Sequence, residues 1–161
     1  MQKFPEYDEP VSRFSIAVFR ANGALLRNGD RLTKSIGQSS AQWHVMGQVE
    51  FSPSTVAQIA RNMGQARQSV QRVADQLVSE GLAVYDEKPG DKRTKLLRLT
   101  ARGEAVMHQI GAKQTSWTRM IAPQLGSERL LQAASLLEEL AEILEQSDKE
   151  EKDHERSRPN Q

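Results

Sequence analysis

Between Thr55 and Gly103 the sequence carries two short amphipathic helical patterns that meet at Gly64. The second leads past Gly81 into a strand, a basic turn around Pro89-Gly90 and a return strand. A hairpin with so little apolar area is stable only when anchored on a helical core, so the neighbouring helices must supply one. Two helices at a sharp turn followed by a two-stranded ribbon form a helix-turn-helix with a β-wing. That shape suits duplex DNA, because one helix fills the major groove while a charged ribbon reaches the phosphates beside it.

The remaining pattern is helical. Helix one is expected from about Asp8 to Leu26, with Val11, Phe14, Val18, Ala21 and Leu25 on one face. Helix two starts at Ser39, where Gln42 completes capping-box spacing, and buries Trp43, Met46 and Val49 or their neighbours before Ser52-Pro53 stops it. Thr55 and Gln58 repeat that spacing for helix three, whose inner face is Val56, Ile59, Ala60 and Met63. Helix four spans about Arg67 to Glu80, with Val70, Val73, Ala74, Leu77 and Val78 inward and Gly81 as its stop. Strands are expected at 82–85 and 95–99, joined by a loop over 86–94. A long helix follows Thr100 and breaks near Pro123 and Gly126, and a last helix runs from Ser127 to about Gln146. In that last helix Leu130, Ala134, Leu137, Ala141 and Leu144 form one stripe and Leu136, Leu140 and Ile143 a second, so it packs on more than its own domain.

The expected fold class is mainly α with a small β-hairpin wing: a winged helix-turn-helix domain plus N- and C-terminal dimerisation helices. The boundaries are 1–38 for the first helix and connector, 39–103 for the winged lobe and 104–146 for the C-terminal helices. Residues 147–161, charged and apolar-poor, are expected as a disordered tail.

Several function classes drop out. The 161 residues suit one domain, and the absence of cysteine removes disulfides and thiolate metal sites. No apolar run approaches a membrane span, and MQKFPEYDEP does not resemble a signal peptide, so no membrane partner and a cytoplasmic location are expected. His44, His108 and His154 have no metal-ligand spacing, and no catalytic constellation appears. Neither an enzyme nor a cofactor is expected.

Charge points to the partner. Net charge is only +1, but 61–102 holds nine bases against five acids, while ten acids outnumber five bases from Ser127 onward. A basic middle and an acidic end orient a molecule against a polyanion. On helix four Gln68, Arg72, Asp75 and Ser79 point away from the core, flanked by Gln65, Ser69 and Gln71. Gln and Arg make bidentate contacts with adenine and guanine edges. The candidate DNA-binding set is therefore Gln65, Arg67, Gln68, Ser69, Gln71 and Arg72 on the helix, and Lys88, Asp91, Lys92, Arg93 and Lys95 on the wing.

The run Asp91-Lys92-Arg93 with Leu97-Arg98-Leu99-Thr100-Ala101-Arg102-Gly103, preceded by Gly81-Leu82 and Pro89-Gly90, resembles the wing and following helix of the MarR family of bacterial transcription regulators. The likeness covers 39–103 by motif, including Ala41-Gln42-Trp43 and the Gly64 turn, and the outer helices by pattern. It implies that Arg93 enters the minor groove at the wing tip, held by a charge-assisted hydrogen bond that it donates to Asp91. It also implies a Ser or Thr cap where this chain has Ala66, so the start of helix four is expected to be looser or shifted.

The resemblance further implies a homodimer built from helix one and the two C-terminal helices. Its operator would be a near-palindrome in double-stranded DNA with half-sites about 10 base pairs apart. Relatives bind small aromatic or phenolic anions between the dimer helices and the DNA-binding lobe. Arg13, Phe14, Trp43, His44 and Met46 are the candidates to line such an effector cavity, although core packing is the simpler reading of Trp43 and Met46. The absence of cysteine argues against an oxidant sensor. The expected function is a homodimeric repressor released by a ligand; the alternative is a winged-helix module whose hairpin contacts an acidic protein.

Overall fold

In the computed structural model, which describes residues 8–156, six helices and one hairpin follow in order. They are α1 (Asp8–Thr33), a 3-10 turn (Lys34–Ile36), α2 (Ser40–Val49), α3 (Val56–Asn62), α4 (Arg67–Ser79), β1 (Ala83–Lys88), β2 (Asp91–Leu99), α5 (Ala101–Leu125) and α6 (Ser127–Arg156). The chain divides into two compact units, Met1–Gln114 and Thr115–Gln161, and the helix-turn-helix with its hairpin lies wholly in the first.

The core of the first unit follows the apolar spacing. Val45, Met46 and Val49 of α2 meet Val56, Ile59 and Ala60 of α3 and Val70, Ala74 and Leu77 of α4. Leu82, Ala83, Leu97 and Leu99 carry the root of the hairpin into the same cluster, and Met107 and Ile110 close it from α5. Each such Val, Leu, Ile or Met side chain stabilises the fold by roughly 1.5–3 kcal/mol when fully buried. The two strands are antiparallel, pairing Ala83 with Leu99, Tyr85 with Leu97 and Glu87 with Lys95. Ser54 extends this root: its N–H donates to the Leu97 carbonyl at 3.2 Å, and Leu97 N–H donates back at 2.8 Å.

Local chemistry sets the ends of the helices. Gln42 N–H donates to Ser39 Oγ at 3.2 Å while Gln42 Oε1 accepts from Ser39 N–H at 2.9 Å, completing the capping box. At Thr55 only half of it forms: Gln58 N–H donates to Thr55 Oγ1 at 3.1 Å, and the Gln58 amide donates instead to Asn62 Oδ1 at 2.8 Å. Gly81, at φ +69°, ends α4 in the left-handed region, which lets Leu82 N–H donate to the Leu77 carbonyl at 2.9 Å. A Cβ on Gly103 would overlap the Leu82 carbonyl oxygen, so only glycine lets α5 start against that turn. The α2 pattern hides two polar residues, Ser40 and Gln42, that the apolar spacing does not announce. Gln42 is buried, and its Nε2 donates to both Glu80 oxygens at 3.0 and 3.2 Å, tying α2 to the end of α4.

Four boundaries differ from the sequence reading. Helix α1 continues past Leu26 to Thr33, because Gly29 allows the Ser40 hydroxyl to pack against the helix and Asp30 Oδ1 accepts from Ser40 N–H at 2.7 Å. The strands consume most of the expected 86–94 loop, leaving Pro89 and Gly90 between them. Cross-strand pairs Arg98–Asp86 at 2.6 Å and Lys95–Glu87 at 3.4 Å supply the partners that apolar residues do not. Pro123 falls inside α5 rather than ending it; having no N–H it forgoes one helical bond, and the helix runs two residues further to Leu125 before Gly126, at φ +82°, breaks it. Finally, α6 is helical through Arg156, beyond the expected end at Gln146. No Gly or Pro interrupts 127–156, and Glu145 precedes Lys149 by one helical turn. Residues 157–161 of the expected tail lie outside the described residues.

Candidate nucleic-acid interface

The α4 helix presents its polar face as its periodicity requires. Arg67, Gln68, Ser69 and Arg72 are exposed, as is Gln65 in the preceding turn, while Val70, Ala74 and Leu77 point into the core. Ala66 is extended at φ −62° and ψ 134° and offers no side-chain cap, yet the helix begins at Arg67 without a shift. Its carbonyl still accepts from Ser69 and Val70 N–H at 3.0 and 3.2 Å.

A cleft of about 500 Å³ opens where α3, α4 and the hairpin converge. Thr55, Val56 and Ala57 form one wall, Arg67 and Gln71 a second, and Tyr85, Arg93, Thr94 and Lys95 the third. The fold thus brings together Arg67, Gln71, Arg93 and Lys95, four candidates from two distant stretches of sequence. Three of them are cations, and in a partly enclosed cleft such charges act on an anion more strongly than in open water. Gln65, Gln68, Ser69, Arg72, Lys88 and Asp91 are exposed outside its lining. The Lys92 side chain lies outside the described residues.

Two wing expectations are corrected. Lys92 and Arg93 stand on β2 rather than at the turn. Asp91 does not hold the Arg93 guanidinium: Oδ1 accepts from the Arg93 backbone N–H at 3.1 Å, and Oδ2 from Thr94 Oγ1 at 2.5 Å. Those bonds, Thr94 first and the Arg93 amide next, hold the Asp91 carboxyl below its ordinary value. A carboxylate two residues before the arginine meets the main chain sooner than the end of a long side chain, so it shapes the strand and leaves the guanidinium directed by the cleft. Lys95 lines the cleft while remaining within 3.4 Å of Glu87.

Gln71 also departs from expectation. It is half-buried, and its Nε2 donates to Asp75 Oδ1 and to Tyr85 Oη, both at 2.8 Å. Tyr85 Oη in turn donates to the same Asp75 Oδ1 at 2.8 Å. Burial first, then the hydrogen bond to Asp75, pushes the Tyr85 hydroxyl up to about 12. Tyr85, Asp75 and Thr94 were missed as site residues. Asp75 four positions after Gln71 was a visible helical pair, whereas the place of Tyr85 depends on how the hairpin folds back.

The effector candidates are not brought together within one chain. Met46 is fully buried in the core. Trp43 is half-buried close to Gly29, and His44 is exposed with its ring 5.4 Å from that of Trp43. Desolvation holds the His44 imidazole below its ordinary value, with Asp30 opposing. Arg13 and Phe14 line a shallow groove with Glu9, Pro10 and Ala17 near the start of α1. Phe14 and Gly29 are fifteen residues apart on one helix, or about 22 Å at 1.5 Å per residue, so these side chains cannot line a common cavity in a single subunit.

No helix among the described residues is long and apolar enough to cross a membrane, and no group of three metal-ligating side chains occurs among them. The family model described as MarR family matches residues 36–94. An uncharacterised protein of Mycobacterium tuberculosis is 36% identical over 102 residues, which covers 63% of this chain and 71% of that protein. The HTH-type transcriptional regulator FarR of Neisseria gonorrhoeae is 26% identical over 135 residues, 80% of this chain and 89% of FarR. Among solved structures, CouR from Rhodococcus jostii RHA1 bound to p-coumaroyl-CoA is similar with a TM-score of 0.72 at 18% identity, covering 80% of this chain and 91% of CouR.

Proposed function

The chain belongs to the MarR family of winged-helix transcription regulators, which are not enzymes, and from that premise we propose that it is a homodimeric repressor that binds a near-palindromic operator in double-stranded DNA. The observation that carries this reading is the cationic cleft, where Arg67 of α4 and Arg93 and Lys95 of the wing face one space. An arrangement that serves both a major-groove helix and a phosphate-reaching ribbon is what duplex recognition requires. The exposed face of Gln68 and Arg72 supplies base contacts, and Arg93 supplies the groove contact beside it. The protein acts where the genome is, in the cytoplasm.

A small aromatic or phenolic effector releases it. The solved CouR structure contains p-coumaroyl-CoA, a phenolic thioester, which supports that class of ligand on this fold. In this chain the cavity is assembled by two subunits, because Arg13 and Phe14 stand too far from Trp43 to share one within a subunit.

Selection of duplexes from a random pool with purified protein tests the reading, repeated in the presence of hydroxycinnamic and hydroxyphenylacetic acids. An inverted repeat with half-sites about one helical turn apart is the expected outcome. Absence of any enriched duplex at low salt, with capture of acidic proteins instead, would replace it with the protein-interaction reading.

A further inference from the structure

Gln71 stands on the outward side of α4, where a glutamine of a groove-inserted helix reads adenine by donating from Nε2 and accepting at Oε1. Its surroundings deny it the first of these. A carboxylate only accepts, so the 2.8 Å contact with Asp75 Oδ1 obliges Gln71 to turn its nitrogen that way. The Tyr85 hydroxyl spends its single proton on the same oxygen and therefore receives the other amide hydrogen. Both N–H groups of Gln71 are consumed inside the protein, and flipping the amide would set Oε1 against the Asp75 carboxylate.

The three groups also join two elements. Gln71 and Asp75 belong to α4, while Tyr85 lies on β1 directly across from Leu97. Leu97 is fully buried and carries the two backbone bonds to Ser54. The root of the wing is thus pinned on one side by Ser54 and on the other by the Tyr85 hydroxyl. Arg93 and Lys95 project from the strand beyond that root, so a small rotation there is amplified at their charged ends.

We propose that Tyr85, Asp75 and Gln71 are positioning residues that lock the wing to the recognition helix at a fixed angle, and that Gln71 reads no base. The inference rests on the DNA-binding reading above and deepens it. The lock sets the offset between the major-groove contacts of α4 and the contacts of the wing, so it governs discrimination between sequences while leaving general attraction to phosphate unchanged.

The test uses the full-length protein and the duplex it selects, with a panel of that duplex carrying one base-pair change at a time. Tyr85→Phe and Gln71→Ala are each expected to lower affinity for the selected duplex by about tenfold, the scale of a lost hydrogen bond to a charged group. The slope of binding against salt should stay as in the wild type, since neither change removes a cation. Across the panel the loss should be uniform, whereas Gln68→Ala should abolish preference at one position. A Gln71→Ala protein that loses discrimination at a single base pair overturns the inference, as does a Tyr85→Phe protein that binds like the wild type. If the wild type itself selects no duplex, the DNA-binding reading falls and takes this one with it. Unfolding provides a readout free of DNA: Asp75→Ala and Tyr85→Phe should be less destabilising together than the sum of the two, and strict additivity would also overturn the lock.

Discussion

At the scale of single residues, the charges of the interface divide into those that attract and those that select. Arg93 lines the cleft from β2, and in the proposed complex it would make a contact that any duplex can accept. Arg93→Ala should therefore weaken selected and scrambled duplexes alike and reduce the salt slope by about one, while Gln68→Ala changes preference at about 1–3 kcal/mol per lost base contact. Fluorescence anisotropy across a salt series measures both. His44 makes a different prediction. Its folded pKa lies below the ordinary imidazole value because partial desolvation of the ring outweighs the attraction of Asp30. A depressed histidine contributes stability above its unfolded pKa and loses it as pH falls through the folded value. Resistance to urea should thus fall on acidification below about pH 6.5, and His44→Gln should remove that component. An unchanged acid limb in the variant would show that other groups carry it.

Elements show why some of the fold was legible and some was not. The starts of α2 and α3 could be read because Ser39 and Thr55 bond to N–H groups three residues away, and the Gly64 and Gly81 turns because φ above zero favours glycine. Distant contacts were hidden. The last turns of α1 depend on Ser40 fitting beside Gly29, the length of the wing on Asp86 and Glu87 meeting Arg98 and Lys95, and the role of Gln71 on a tyrosine fourteen positions further on. Of the candidate site, residue types and the two contributing elements were visible; which groups face each other was not. Ala66 supplies a test at this scale. Its backbone is already extended, as a capping residue requires, and only the side-chain acceptor is missing. Ala66→Ser should stabilise the protein by about 1 kcal/mol, read as a rise in the denaturant midpoint at constant m-value. No change would mean that the α4 N–H groups already have partners.

The whole molecule leaves apolar surface that neither unit explains. On α1 Phe19 is 77% exposed, and on α6 Leu130, Leu137 and Leu144 recur every seven residues at 39%, 41% and 56% exposure. We read this heptad stripe, left in water on a 30-residue helix, as the seam of the proposed dimer, since a two-fold contact uses a self-complementary apolar face. Under that proposal dimerisation would also account for a near-palindromic operator. One winged lobe would read only a half-site, and two lobes held at a fixed separation would meet successive major grooves, making the second contact intramolecular. Leu137→Glu with Leu144→Glu places two charges in that seam. Light scattering should then report a species near the 18.1 kDa chain mass in place of one twice as large. The core of the first unit uses neither residue, so the denaturation midpoint of the winged lobe should hold. Binding to the inverted repeat should fall to the level of an isolated half-site, a loss on the order of 100-fold or more when effective concentration is removed. A double variant that still elutes as a dimer would place the seam elsewhere, and one that dissociates yet binds the full repeat unchanged would show that a single lobe suffices for recognition.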